Sequence, residues 1–200
     1  MGILHHLDEL DKKYSRRIHY LDFGHLNKVV YLMARFFNPE NLASVYLIIF
    51  YLSNKNFFYV MIFLEGAALS LLLSIYLKGL IGRLRPVFPE DVTKSGYLRG
   101  IEKLNSMPSG DAIQAGYFAM FCMYHFNNPY VLAICFFALY GRVHFVIHWI
   151  GDIIVGMIIG LSFSYLLQSL FMTIVQWGEW DLNEFYLSVI LENLFPVPKQ

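Results

Sequence analysis

The chain has 200 residues, of which 57% are apolar, 18% aromatic and only 15% charged, with a mean hydropathy of +0.49. That balance excludes an ordinary soluble domain and describes a membrane chain with room for about five or six crossing helices and short loops. Fifteen Lys and Arg offset fifteen Asp and Glu, so no global field draws nucleic acid or an acidic partner, which argues against a nucleic-acid role.

In residues 1–22, Leu4, Leu7, Leu10, Tyr14, Ile18 and Leu21 recur at helical spacing, the pattern of a helix with one apolar stripe. Asp8, Glu9, Asp11, Lys12, Lys13, Arg16 and Arg17 interrupt any apolar core, so the segment is not a secretory signal and is expected to be retained. The helix is expected to lie flat on the membrane with its cations toward lipid headgroups. Packing of the stripe on the protein's own helices or on a partner is the alternative. Leu26 to Phe37 is apolar but carries Lys28 and Arg35, and reads either as a short span with snorkelling ends or as a second interfacial helix. Leu42 to Ser53 is too short to cross unless it borrows from Asn38 onward. Phe57 to Leu77 is the best span. Glu65 alone interrupts it, and an acid at that depth is expected to face the bundle interior beside a partner.

Residues 86–107 form a polar loop, with Pro86, Pro89, Glu90, Asp91, Lys94, Gly96, Arg99 and Lys103. Three apolar segments follow: Ala112 to Phe126, Pro129 to about Ile147, and Trp149 to Trp177, with a turn at Asn127, Asn128 and Pro129 between the first two. Gly156 and Gly160 have the spacing that allows close helix packing. Cys122 and Cys135 sit inside apolar runs, which supports neither a disulfide framework nor a zinc site. The expected fold is thus all-α, a polytopic transmembrane bundle of about six helices. It divides into an amphipathic helix at 1–22, a transmembrane domain at 23–178 and a slightly acidic amphipathic tail at 179–200.

Polar groups are costly in such a chain, so where they gather is informative. Lys78, Arg83 and Arg85 stand where the Phe57 to Leu77 span ends, Ser109 and Asp111 where the next begins, and Arg142, His144, His148 and Asp152 between the last two. Chain parity puts all three groups on one membrane face. Lys78 and Arg85, two helical turns or about 10 Å apart, can reach a common anion, although cations at a span end also serve as anchors. Pro108, Ser109 and Gly110 precede a helix, which makes Ser109 a cap, leaves amides facing outward with the positive end of the helix dipole, and lets an anion approach at Gly110. His148 and Asp152, four apart, fall on one helical face, where the carboxylate can hold one imidazole nitrogen and leave the other to attack; a structural or metal-binding pair has the same spacing. Arg142 would point about 120° away on a continuous helix, so a break near Ile147 is expected to return its guanidinium to the site, with His144 as a neighbour.

In order and spacing these residues resemble the three motifs of the type 2 phosphatidic acid phosphatase family, the acid phosphatase and vanadium haloperoxidase superfamily. The first motif is present as KGLIGRLRP with Lys78, Arg85 and Pro86, and the third as RVHFVIHWIGD with Arg142, His148 and Asp152. The resemblance implies a helical bundle that removes phosphate from phospholipids or from isoprenyl phosphates and diphosphates, with no metal or other cofactor. It implies His148 as nucleophile forming a phosphohistidine, Asp152 orienting it, and Lys78, Arg85, Ser109, Gly110 and Arg142 holding phosphate. Partners would be the lipid substrate and membrane lipids.

Two positions depart from the motifs. Asp111 stands where the middle motif has the histidine that protonates the leaving oxygen, and Gly141 stands where the third motif opens with Ser. The helix dipole favours an ionised Asp111, which cannot donate that proton, whereas a bound phosphate dianion and desolvation favour a protonated acid, which can. The phosphate monoester expelled from a diphosphate, with a second pKa of about 6, leaves without one. Diphosphate lipids are therefore the expected substrates. A catalytically impaired lipid-binding or scaffold member and a phosphotransferase using the same intermediate are the alternatives. If Leu26 to Phe37 does not cross, the basic N-terminus and the site share a face, and the positive-inside rule makes both cytosolic; the resemblance implies six spans and a lumenal or extracytoplasmic site.

Overall fold

Long apolar runs without proline become helices because only a closed backbone ladder satisfies amides in hydrocarbon. The computed structural model describes residues 2–38, 41–87 and 104–177. Among them are seven α-helices: α1 (Ile3–His19), α2 (Asn27–Ala34), α3 (Leu42–Leu52), α4 (Phe57–Ile81), α5 (Gly110–Phe126), α6 (Val131–His144) and α7 (Ile150–Trp177). The expected all-α bundle is what forms, and α4 and the Ile150–Ile174 part of α7 are each long and apolar enough to cross a membrane. Most of the polar loop, from 88 to 103 and including Pro89, Lys94 and Arg99, and the tail at 179–200 lie outside the described residues.

Helix α5 is the axis of the bundle. Its Ile113, Tyr117, Phe118 and Phe121 are fully buried, and Phe63 of α4 packs against Tyr117, Phe118 and Phe121. The seam between α5 and α7 is a backbone contact, as the Gly156 and Gly160 spacing leads one to expect. A Cβ on Gly160 would stand 2.2 Å from Ile113 O, one on Gly156 2.7 Å from Ser109 O, and one on Gly116 2.6 Å from Met157 O. No side chain fits there, so the two helices are locked in register. The lock continues to their N-termini, where Ser109 N donates to Asp152 O at 3.1 Å.

Helix α2 has eight residues, about 12 Å, and cannot cross alone. Instead of one span over Leu26 to Phe37, the helix stops at Ala34 and stays beside the C-terminal end of α6, and α3 leads away from there toward the start of α4. Asn27 meets His144 at 3.0 Å and Asn38 meets Arg142 at 2.7 Å at the C-terminal end of α6, whereas Phe50 near the end of α3 packs on Phe57 at the start of α4. Gly141 lets α2 come this close, since a Cβ there would lie 2.7 Å from Ala34 Cβ.

Helix α1 is amphipathic but docks by its polar face. Asp8, Asp11, Ser15 and His19 point inward, with Ser15 and His19 fully buried, while Leu7, Tyr14 and Leu21 of the apolar stripe are 55%, 50% and 44% exposed. At these three positions the stripe faces away from the protein's own helices, while Leu10 and Ile18 of the same stripe are half-buried. Glu65, expected to face the interior, lies instead on the exposed side of α4 and forms no ion pair among the described residues. Cys122 and Cys135 are free and buried.

Candidate active site

The site begins where α4 stops. Gly82 takes a left-handed φ of 65°, and the next residues pair with the segment before α5 through a bridge between Leu84 and Asn105. Arg85 N donates to Leu104 O at 3.2 Å, and Ser106 N to Arg83 O at 2.6 Å. Lys78, 6% exposed, donates to the carbonyls of Asn105 and Ser106, each at 3.2 Å. The first motif is in this way tied to the second, and Lys78 braces the segment that leads into α5.

Ser109 caps α5 as expected, its Oγ accepting from Ala112 N at 3.3 Å. The amides of Gly110 and Asp111 in that first turn are donors the helix itself leaves unsatisfied. Gly110 also has a packing role that its sequence does not announce, because a Cβ would lie 2.9 Å from Ser74 Oγ of α4.

Between α6 and α7 the expected break is present. Ile147 N donates to Arg142 O at 3.1 Å, and Val146 adopts a φ of 59°, a left-handed conformation costly for a β-branched residue. The turn places His148 ahead of α7 rather than on it. Its Nδ1 lies 3.5 Å from Asp152 Oδ2, a long contact rather than a short hydrogen bond, and this oxygen also accepts from Trp149 N at 2.9 Å. His148 and Asp152 therefore pair across a helix start, not along one helical face.

Arg85 reaches the same turn, donating from Nη1 to Ile147 O at 3.1 Å. Arg142, 3% exposed, donates from Nη1 to Asn38 Oδ1 at 2.7 Å and forms an ion pair through Nη2 with Asp111. Its buried Nε has no acceptor among the described residues. Burial, assisted by the nearby charges of Arg85 and Arg142, pushes the His148 imidazole down to about 4 against the opposing pull of Asp152. The ring is neutral at pH 7, the form with a lone pair to offer.

Arg85, Ser109, Asp111, Arg142, His148 and Asp152 are thus gathered at one end of the bundle, with Lys78 behind the segment before α5. His144 is turned away toward Asn27 and Phe23. Four further participants emerge: Arg83, which the sequence places among the cations at the end of the Phe57 to Leu77 span but gives no role, and three that reading the sequence missed. Arg83 binds Asp152 Oδ1 at 2.7 Å, and Asp8 and Asp11 bind Arg83, each at 2.7 Å. Their signal was present as a second stripe on α1, Asp8, Asp11 and Ser15 at helical spacing opposite the apolar one. Asn38, the fourth, carries no signal in a lone sequence.

The profile of the PAP2 superfamily matches residues 59–176. No curated protein matches the chain. Among solved structures, the first transmembrane PAP2 type phosphatidylglycerolphosphate phosphatase from Bacillus subtilis superposes with a TM-score of 0.66 at 22% identity, covering 84% of this chain and 87% of that one. LpxE from Aquifex aeolicus does so with a TM-score of 0.64 at 22% identity, covering 80% of this chain and 95% of that one. These likenesses establish a shared fold. With the profile spanning more than half of the chain and all three motifs from Lys78 to Asp152, the chain belongs to the PAP2 superfamily.

Proposed function

We propose that the protein is an integral membrane lipid phosphatase that acts through His148 and prefers a lipid diphosphate, such as an isoprenyl diphosphate, to a phosphate monoester. The observation that carries this reading is the gathering of a buried, neutral imidazole, its buried carboxylate, the buried Arg142 and the half-buried Arg85 at the end of the spans. Arg142 Nε, buried without an acceptor, and the amides of Gly110 and Asp111 are donors suited to the oxygens of a phosphoryl group.

In this reading His148 Nε2 attacks the terminal phosphorus, and the bond from that phosphorus to the bridging oxygen breaks. The electron pair leaves with the lipid monophosphate. Arg85, Arg142 and the α5 amides stabilise the equatorial oxygens, where charge neutralisation and positioning do most of the work. Water then attacks the phosphohistidine and releases inorganic phosphate. Asp111, as a carboxylate paired with Arg142, is unsuited to protonating a leaving alkoxide and suited to accepting the proton of that water. Ser109 holds the start of α5, and Lys78 adds its charge from behind the 104–106 segment.

A second reading, a catalytically impaired lipid-binding or scaffold member, is favoured by one observation: Asp111 occupies a face of Arg142 that phosphate would need. A third, phosphoryl transfer to another acceptor, shares the first step and separates by its products. A panel of lipid phosphates and diphosphates, assayed with and without chelator, tests the main reading. Diphosphate cleavage insensitive to chelator is expected; metal-dependent release, or none, would contradict it.

The lumenal or extracytoplasmic site implied by the resemblance has a rival on charge grounds. Asp8 and Asp11 of α1 bind Arg83 beside the site, so the basic N-terminus and the site share a face, which the positive-inside rule directs to the cytosol. Labelling of an introduced Cys at Lys13 by an impermeant reagent in sealed vesicles separates the two. The exposed Leu7 and Tyr14 of α1 and Leu21 just after it, with Lys13, Arg16 and Arg17 alongside, suit contact with the lipid interface.

A further inference from the structure

Asp152 is fully buried, and both of its oxygens are engaged. Oδ2 serves Trp149 N and faces His148, whereas Oδ1 accepts from Arg83 Nη1 at 2.7 Å. The other end of the guanidinium, Nη2, donates to Asp8 Oδ1 and Asp11 Oδ2, both at 2.7 Å, and the group lies 5.7 Å from the centre of the Trp149 ring. Helix α1 is fastened to the start of α7 as well. Asp11 Oδ1 accepts from Gly151 N and Ser15 Oγ accepts from Ile150 N, each at 2.9 Å. Gly151 is where α1 comes closest, since a Cβ there would stand 2.6 Å from Asp11 Oδ2. Asp11 and Ser15 thus satisfy amide donors at the start of α7, just beyond His148, while Asp8 acts through Arg83.

We propose that Arg83 is a positioning residue for the His148–Asp152 pair and that Asp8 and Asp11 of α1 hold it there, which makes the N-terminal helix part of the catalytic centre. This rests on the reading of His148 as nucleophile. A carboxylate held at one oxygen only can swing about its own bond; Arg83 fixes the second oxygen and so keeps Oδ2 toward the imidazole. Outer partners of this kind orient the groups that do chemistry and tune their basicity. A helix that served only as a membrane tether would have no need of two carboxylates on a guanidinium beside Asp152.

The charges give the proposal a sign. Facing the pair are Asp8 and Asp11 from α1, Arg83 and Arg85 after α4, Asp111 from α5 and Arg142 from α6, with Lys78 behind. Removing the Arg83 cation makes the imidazolium easier to form and moves the acid limb of kcat/KM to higher pH. Removing the Asp11 anion leaves Arg83 less neutralised and moves the limb the other way. A merely structural role would lower activity without moving the limb in opposite directions.

The experiment uses the full chain in mixed micelles with an isoprenyl diphosphate, following phosphate release from pH 3.5 to 8, with thermal melts as a check on folding. Arg83→Gln is expected to lower kcat about 10- to 100-fold with little change in KM, and to raise the acid limb by about one pH unit. Arg83→Lys should keep the limb in place while losing part of kcat, and Asp11→Asn should lower the limb. If Arg83→Gln does not fold, the other two variants still decide. Limbs that stay fixed in Arg83→Gln and Asp11→Asn, or move in the same direction, overturn the proposal. Wild-type activity in His148→Ala would instead overturn the nucleophile reading, whatever the limbs do.

Discussion

Replacing Asp111 by Asn should tighten the binding of inorganic phosphate while leaving the shape of the site intact. Asp111 is the anionic partner of Arg142, and the guanidinium is buried, so a bound phosphate meets a carboxylate already on its main cation. At an effective dielectric of about 20 and about 6 Å between charge centres, the repulsion is roughly 3 kcal/mol, or about 100-fold in affinity. Burial keeps salt from screening most of it. Competitive inhibition by inorganic phosphate and by orthovanadate, measured for wild type and Asp111→Asn, reads the change directly. A 10- to 100-fold lower inhibition constant is expected. An unchanged or higher constant would refute the reasoning, because Asp111 would then be neutral toward the anion or help to hold it. Asp111→His supplies a proton donor instead, and should accelerate phosphatidic acid hydrolysis about 10²- to 10⁴-fold while changing diphosphate cleavage little.

His148, held down to about 4 from 6.5 by burial, should stay an active base well into the acid range, with the acid limb of kcat/KM near 4 rather than 6.5. The same shift has a stability consequence: the unfolded chain binds this proton more readily, so stability is full above 6.5 and falls as pH drops toward 4. The loss is roughly 3 kcal/mol at most and should be absent in His148→Gln, as melts at pH 7 and 4.5 would show. Gly160→Ala sets a Cβ against the Ile113 carbonyl and should destabilise the bundle by about 1–3 kcal/mol or more, read as a lowered melting midpoint. Arg142→Lys keeps the charge but loses the fork that serves Asn38 and Asp111; a fall in kcat/KM of about 100-fold is expected.

Much of this was legible in the sequence, for reasons the structure makes plain. The spans that became α4, α5, α6 and α7 are long apolar runs, and hydrocarbon admits few other structures for them. The gathering of Lys78, Ser109, Arg142 and His148 at one end follows from parity alone, and the break between α6 and α7 from the angle that Arg142 would otherwise take. What was hidden depended on contacts between distant segments. The short α2 owes its position to Gly141, where α6 admits a close neighbour, and nothing local in Leu26 to Phe37 records that. The N-terminal helix displays two stripes, apolar and acidic, and hydropathy picks out the apolar one, whereas the acidic one docks. Its docking is decided by Arg83, which lies 72 positions from Asp11, and the partner of a charge cannot be read from periodicity.

The central claim is that phosphorus passes through His148. Brief incubation of the full chain with an isoprenyl diphosphate labelled in its terminal phosphate, followed by alkaline quenching and peptide mapping, tests it directly. The expected result is an acid-labile, alkali-stable label on the peptide carrying His148, absent from His148→Ala and lost on a chase with unlabelled substrate. Label on another residue, or undiminished turnover in His148→Ala, would contradict the account.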